Sequence, residues 1–318
     1  LKSGSVEYLR ILGFAGVVLL HVNSYEAFAP YDKTGFVIDE ASRFAVPAFF
    51  MISGYFAKEV QRDTLWPYVR KLGARTLIPF LFFLALYFAL NIAGLFGRQR
   101  VWEWDDILRS LISGGPAPHL WFLPALLIGS TLFAAGRLFL PMRQLWAVAI
   151  GLYCIGVALG TYAHLYGLEL PLWASRNGMF FAPIFLVIGS VFRTHQLGDG
   201  TAALIAVLGL AIHMAEGLFA AGSYPLGHDM SFGTVALAIG VAAPFFSRVK
   251  LGELPLSSFG ADVLGAYLMH LIILKVLLEI PPGEGLLFGL MISALTFLVS
   301  LGLSRVLKTI RPLAVLLS

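Results

Sequence analysis

Charge is scarce in this sequence. Only 13% of its 318 residues are Asp, Glu, Lys or Arg, against about 25% in soluble globular domains. Hydrophobic residues make up 58%. That balance excludes a soluble globular protein and points to a polytopic membrane protein. Cysteine is nearly absent too. The single Cys154 lies in an apolar run, so no disulfide can form within the chain, and a buried structural thiol is expected. Metal-ligand patterns are missing: the seven histidines are scattered, with no HExxH and no Cys/His ligand spacing. There is no Walker loop, no dinucleotide fingerprint and no G-x-S-x-G nucleophile elbow. The net charge of +4 does not imply nucleic acid, because the basic residues concentrate in the segments between apolar runs. No strand-and-turn alternation suggests a barrel, and no internal repeat is evident.

What is present is a series of long apolar runs. A span needs ~20 mostly apolar residues. Ten fit: 6–27, 37–57, 75–97, 119–139, 144–163, 177–193, 201–220, 230–248, 258–280 and 285–305. The expected fold class is all-α, a single polytopic domain over residues 1–318 with about ten transmembrane helices. The first run is interrupted by Arg10 and no small-residue cleavage site follows it, which predicts a retained span rather than a signal peptide. With a cytoplasmic amino terminus, the outside loops hold only Lys33, Arg98, Arg100, Arg109 and Arg176, and all other basic connectors fall inside. That asymmetry predicts both termini in the cytoplasm. It makes "KEVQRDTLWPYVRKLGAR" (58–75) the main basic cytoplasmic loop. The outer segment "GRQRVWEWDDILRSLISGGPAP" (97–118) reads as an interfacial helix near 103–112 followed by a Gly/Pro turn. "GVALG", with Gly156 and Gly160, fits a close helix crossing.

The polar residues inside these runs carry the chemistry. "VEYLRILGFAGVVLLHVNSY" (6–25) contains Glu7, Arg10 and His21. A charge near the bilayer centre costs about 2.5–3.5 kcal/mol even on a lenient scale, so these side chains must face protein or water. Arg10 and His21 differ by only about 20° around a helix, on one face, and stand about 16 Å apart along its axis. Glu7 is one turn from Arg10 and can pair with it. His21 suits proton transfer, and Arg10, permanently charged, suits anion binding. Helix glue is the competing structural reading. In the second run Asp39 and Arg43 can pair at i,i+4, and Pro47 should bend the helix. His119 and Trp121 open the fourth run, Arg176 precedes the sixth, and His270 lies within the ninth. His213 and Glu216 are expected to pair with each other.

Taken together, these pieces resemble the acyltransferase-3 family of integral-membrane acyltransferases. The resemblance rests on Arg-x10-His in the first run, "FFMISGYF" (49–56), "RTLIPF" (75–80), "HLWFL" (119–123), "FFAPIFLVIGSVF" (180–192) and "YLMHLIIL" (267–274). It implies transfer of an acyl group, acetyl or succinyl, from cytoplasmic acyl-CoA to a hydroxyl of an extracytoplasmic or lipid-linked glycan. It also implies residence in a bacterial inner membrane. Catalytic roles would fall to His21 and Arg10, and the CoA phosphates to Arg70, Lys71 and Arg75. The family's Arg-x-x-Arg at the third-span entrance reads "RKLGAR" here, with no Arg at position 72. Acceptor contacts would come from Arg43, His119, Trp121, Arg176 and His270. The donor acyl-CoA, the glycan acceptor and membrane lipids are the expected partners, with no metal, and the oligomeric state, a homo-oligomer included, stays open. The alternative reading is a proton-coupled transporter or glycan exporter, since intramembrane Arg, His and Glu serve those as well.

Overall fold

A computed structural model describes residues 4–24, 28, 33–94, 102–221, 229–246, 255–279, 283 and 285–317. Every regular element among them is helical. The first helix, α1 (Gly4–Ser24), is followed by α2 (Lys33–Ser42), α3 (Ala45–Tyr55) and α4 (Leu65–Ile92). Next come α5 (Trp104–Ser113), a 3-10 turn at Pro118–Trp121 that runs into α6 (Phe122–Phe139), and α7 (Met142–Leu159). The chain continues through α8 (Ala182–Val191), α9 (Asp199–Ala221) and α10 (Phe232–Phe246). A 3-10 stretch at Pro255–Asp262 leads into α11 (Val263–Leu278), then α12 (Leu286–Leu307) and the short α13 (Arg311–Leu316).

Seven of these, counting the two 3-10 leads with their helices, are long and apolar enough to cross a membrane. The chain is a polytopic all-α membrane protein. Three of the ten expected runs take another form. The second is split into α2 and α3 at Arg43 and Phe44. Pro47 supplies the reason: it has no N–H to give the carbonyl of residue 43, and its ring crowds that carbonyl. The sixth and eighth are the short helices α8 and α10. Ten residues of α8 rise only about 15 Å, half of a ~30 Å hydrocarbon layer. It is nonetheless at home, because Ala182 through Gly189 are all buried inside protein.

Close backbone contact explains how α8 is held. A Cβ on Gly189 would fall on the Met51 carbonyl of α3, and one on Gly54 of α3 would fall on the Leu186 carbonyl of α8. Each helix therefore offers a glycine to the other's main chain, the packing that small residues permit between spans. The same device joins α9 and α10, where Gly209 and Gly240 sit against backbone atoms of Leu237 and Ala206. The "GVALG" stretch does something else. Gly156 and Gly160 make room for Met230, Phe180 and Ser175, which lie in connecting segments, so no helix crossing forms there. Cys154 is also unlike the expectation: it stands on the exposed face of α7, not in the core. The helix expected near 103–112 is α5, ended by Gly114 in the left-handed conformation at φ 84°.

Candidate functional site

The α1 face predicted from spacing is real, and it divides between two voids. Arg10 donates through one nitrogen to both carboxylate oxygens of Glu7, at 2.7 and 2.8 Å. It lines a void of about 480 Å³ together with Arg75 of α4 and Lys308, which follows α12. Ser53, Thr76, Gly260, Ala261 and Val263 add to the wall. Gly260 is needed here, since a Cβ would strike the Glu7 carboxylate and push the 3-10 stretch off α1. Lys308 reaches the Ala261 carbonyl and stands 3.5 Å from Asp262, which also receives Arg305 at 3.0 Å. Arg70 and Lys71 stand exposed on α4 and line neither void.

His21 lines the second void, of about 490 Å³. Arg43, His119, Trp121 and Arg176 line it too, although they come from three separate stretches of chain. The break between α2 and α3 puts Arg43 here. Its Nε donates to Asp39 at 2.9 Å, the i,i+4 pair expected from the sequence. Its guanidinium also meets Asp229, and Arg176 donates to the other Asp229 oxygen at 2.6 Å. Two cations and two anions thus alternate along one wall. Burial, with the Arg43 charge beside it, lowers Arg176 to about 10, so it stays cationic at neutral pH. The Arg176 guanidinium also lies 5.1 Å from the Trp121 ring, a cation–π contact.

Three imidazoles gather at the floor. The ring centroids of His21 and His270 are 5.1 Å apart, those of His119 and His270 4.8 Å, and those of His21 and His119 5.9 Å. His270 Nδ1 is 2.6 Å from the Tyr267 carbonyl. A carbonyl only accepts, so Nδ1 carries the proton, and in the neutral ring Nε2 is left with its lone pair. Both ring nitrogens of the buried His119 lack a hydrogen-bond partner among the described residues. His21 is only half-buried and reaches the void, as a proton acceptor must. Among the described residues no group of three or more His, Cys, Asp or Glu is arranged to hold a metal ion.

The chain belongs to the acyltransferase-3 family. The family's model, described as an acyltransferase domain, matches residues 3–305, essentially the whole sequence. Curated relatives include a serine/alanine racemase of Enterococcus gallinarum, 26% identical over 68% of this chain and 33% of that protein. An amino-acid racemase of Enterococcus faecalis is 30% identical over 58% of this chain and 27% of its own length. This acyltransferase-3 chain therefore spans about a third of the relatives it matches. No solved structure matches it significantly.

Several residues of this acyltransferase-3 site were not legible beforehand. Asp229 lies in a loop far from Arg43 in sequence and carries no motif. Lys308 reads as an ordinary cytoplasmic flank. Tyr267 lines both voids; it opens the "YLMHLIIL" stretch, but nothing in that stretch gave it a role of its own. His213 and Glu216 do not pair with each other. His213 Nε2 is 2.9 Å from Glu40 and its Nδ1 is 2.5 Å from the Ser231 hydroxyl. Glu216 instead accepts from the Phe232 and Gly233 N–H groups, at 3.0 and 2.7 Å, and from the Tyr162 hydroxyl at 2.8 Å. A carboxylate at the start of α10 satisfies N–H groups that have no partner within the helix.

Proposed function

We propose that this protein is an acyl-CoA-dependent O-acyltransferase that delivers acetyl or succinyl groups to a sugar hydroxyl of an extracytoplasmic or lipid-linked glycan. The observation that carries the reading is the placement of His21 in a cation-lined void, one α1 face away from a second void ringed by Arg10, Arg75 and Lys308. The void lined by Arg10, Arg75 and Lys308 is the donor side. Its three cations suit the phosphates of CoA, and Arg70 and Lys71 extend that charge along α4. The slender pantetheine arm then runs along α1 toward His21. The charge asymmetry of the loops supports a cytoplasmic donor side and cytoplasmic termini, and the membrane of this reading is a bacterial inner membrane.

In the reaction His21 takes the proton of the acceptor hydroxyl. The oxygen bonds to the thioester carbonyl carbon, the carbon–sulfur bond breaks, and the departing thiolate receives the proton. Alternatively His21 carries the acyl group itself before the acceptor takes it. Arg43, Arg176, His119, Trp121 and His270 form the acceptor's surroundings, with two guanidiniums for any acidic group it bears. The test is purified protein with labelled acetyl- or succinyl-CoA, measuring label in a glycan acceptor and free CoA thiol. His21→Ala that folds soundly and keeps full activity removes His21 from the mechanism.

A transporter is the second reading, and one observation favours it. Two voids along one helix face, with Tyr267 lining both, also suit alternating access. Flux of a glycan precursor into proteoliposomes without any acyl donor would select that reading.

A further inference from the structure

The two voids have one lining residue in common, Tyr267. It is 4% exposed and is the middle residue of the Leu256–Leu278 span. On the donor-side void its ring meets Phe49 at 6.5 Å and Phe122 at 5.8 Å, both of which line that void. On the other side it meets His119 at 5.3 Å and His270 at 5.7 Å. Its hydroxyl donates to the His119 carbonyl, which ties α11 to the turn that opens α6. Among the described residues, the lining of the void that holds Arg10, Arg75 and Lys308 meets the lining of the His21 void at this phenol.

We propose that Tyr267 is the partition between the two chambers and the residue that fixes which acyl groups cross. When its side chain swings away, the passage left is bordered by the Phe49 and Phe122 rings and by His119. That border carries no fixed charge and is narrow. It admits an unbranched thioester arm with a short acyl group and turns back phosphates and bulky chains. The bulk of the ring fills the passage at rest, so water and ions do not leak between the chambers, and the hydroxyl bond to the His119 carbonyl adds to its placement without being required for closure. Among the described residues Tyr267 is the lining residue that the two chambers, about 490 and 480 Å³, have in common. The acyl-length part of the proposal rests on the acyltransferase reading, and the partition itself does not.

The partition is tested by thiol accessibility on a Cys154→Ala background. Leu20→Cys reports on the His21 chamber and Ser53→Cys on the Arg10 chamber. A small sulfonated methanethiosulfonate that does not cross membranes is applied to intact cells and to inside-out vesicles. With Tyr267 present, each cysteine should react from one side only, and the two from opposite sides. Tyr267→Ala, or Tyr267→Leu where the alanine variant does not accumulate, should make both react from both sides, while Tyr267→Phe keeps sidedness. Two-sided reaction with Tyr267 intact overturns the partition, as does sidedness retained in the alanine or leucine variant. In detergent, with a bacterial polysaccharide extract supplied as the hydroxyl acceptor, CoA release is then measured with acetyl-, butyryl-, hexanoyl- and octanoyl-CoA. Tyr267→Leu should shift the kcat/KM ratio of hexanoyl to acetyl donors at least about tenfold, since a methylene of pocket space is worth about 10–200-fold. An unchanged profile overturns the selectivity role. No CoA release from the unaltered protein would remove the acyltransferase reading and leave the thiol result standing.

Discussion

Replacing Asp229 with asparagine keeps the side chain's shape and removes one negative charge. In the native protein that carboxylate lies between two guanidiniums, Arg43 and Arg176, whose side chains are 8% and 18% exposed. Each contact at about 4 Å or less is worth about 4 kcal/mol at an effective dielectric of ~20, before desolvation is subtracted. Breaking a fully buried pair typically costs about 3–5 kcal/mol, because the partner charge stays behind. Asp229 is 16% exposed and faces a chamber that water can enter, so the lower end, about 3 kcal/mol, applies here. Asp39 continues to neutralise Arg43, so Arg176 takes most of the loss. In detergent, thermal unfolding of Asp229→Asn should begin on the order of 5–10 °C lower. Added sulfate should restore part of the loss by sitting between the guanidiniums. Glu59→Gln is the control: Glu59 is 86% exposed and only 3.5 Å from Arg137, so its removal should leave the midpoint in place. An unchanged midpoint for Asp229→Asn, with no response to sulfate, would refute the idea that this carboxylate compensates the chamber.

His21→Ala should lower acyl transfer about 10²–10⁴-fold, the range of a lost general base, with the unfolding midpoint near native. Arg75→Ala and Lys308→Ala should each raise KM for acyl-CoA with kcat little changed, because phosphate binding far from the reacting atoms acts equally on ground and transition states. An equal loss in kcat would contradict a purely binding role. Gly189→Ala should destabilise by at least about 1–3 kcal/mol, since its methyl group meets the Met51 carbonyl and α8 must move, and native-like expression and melting would count against that contact. Glu40→Ala and His213→Ala, both at positions with no exposure, should each be costly, yet the double variant should cost less than their sum. Strict additivity would show that the two do not interact.

Helix positions and the polar face of α1 were legible because both depend on local periodicity. Residues three, four and eleven apart must share a face, whatever the rest of the chain does. The resemblance grouped Arg43, His119, Trp121, Arg176 and His270 with His21; the first four line the His21 void, and His270 packs against the His21 ring. Partner choice was not legible. His213 and Glu216 are neighbours on one helix, yet each takes a partner from another element, because α10 brings its unsatisfied N–H groups to Glu216 and α2 brings Glu40 to His213. Asp229 joined the site through contacts that no local pattern encodes. The split of the second run was foreshadowed by Pro47, and the short α8 by the shortness of the sixth run with Pro183 inside it; a helix sheathed by protein needs no match to the bilayer. Cys154 broke expectation for a related reason: facing lipid satisfies a thiol as well as a core does.

The glycine contacts between α9 and α10 have a mechanical consequence. With main chain pressed on main chain, the two rods cannot slide or roll independently without collision. They travel as a single plank, and Asp229, three residues ahead of α10, rides at its tip. Any motion that widens the His21 chamber by tilting this plank would carry that carboxylate away from both arginines at once, baring two positive charges just as space opens for an anionic guest.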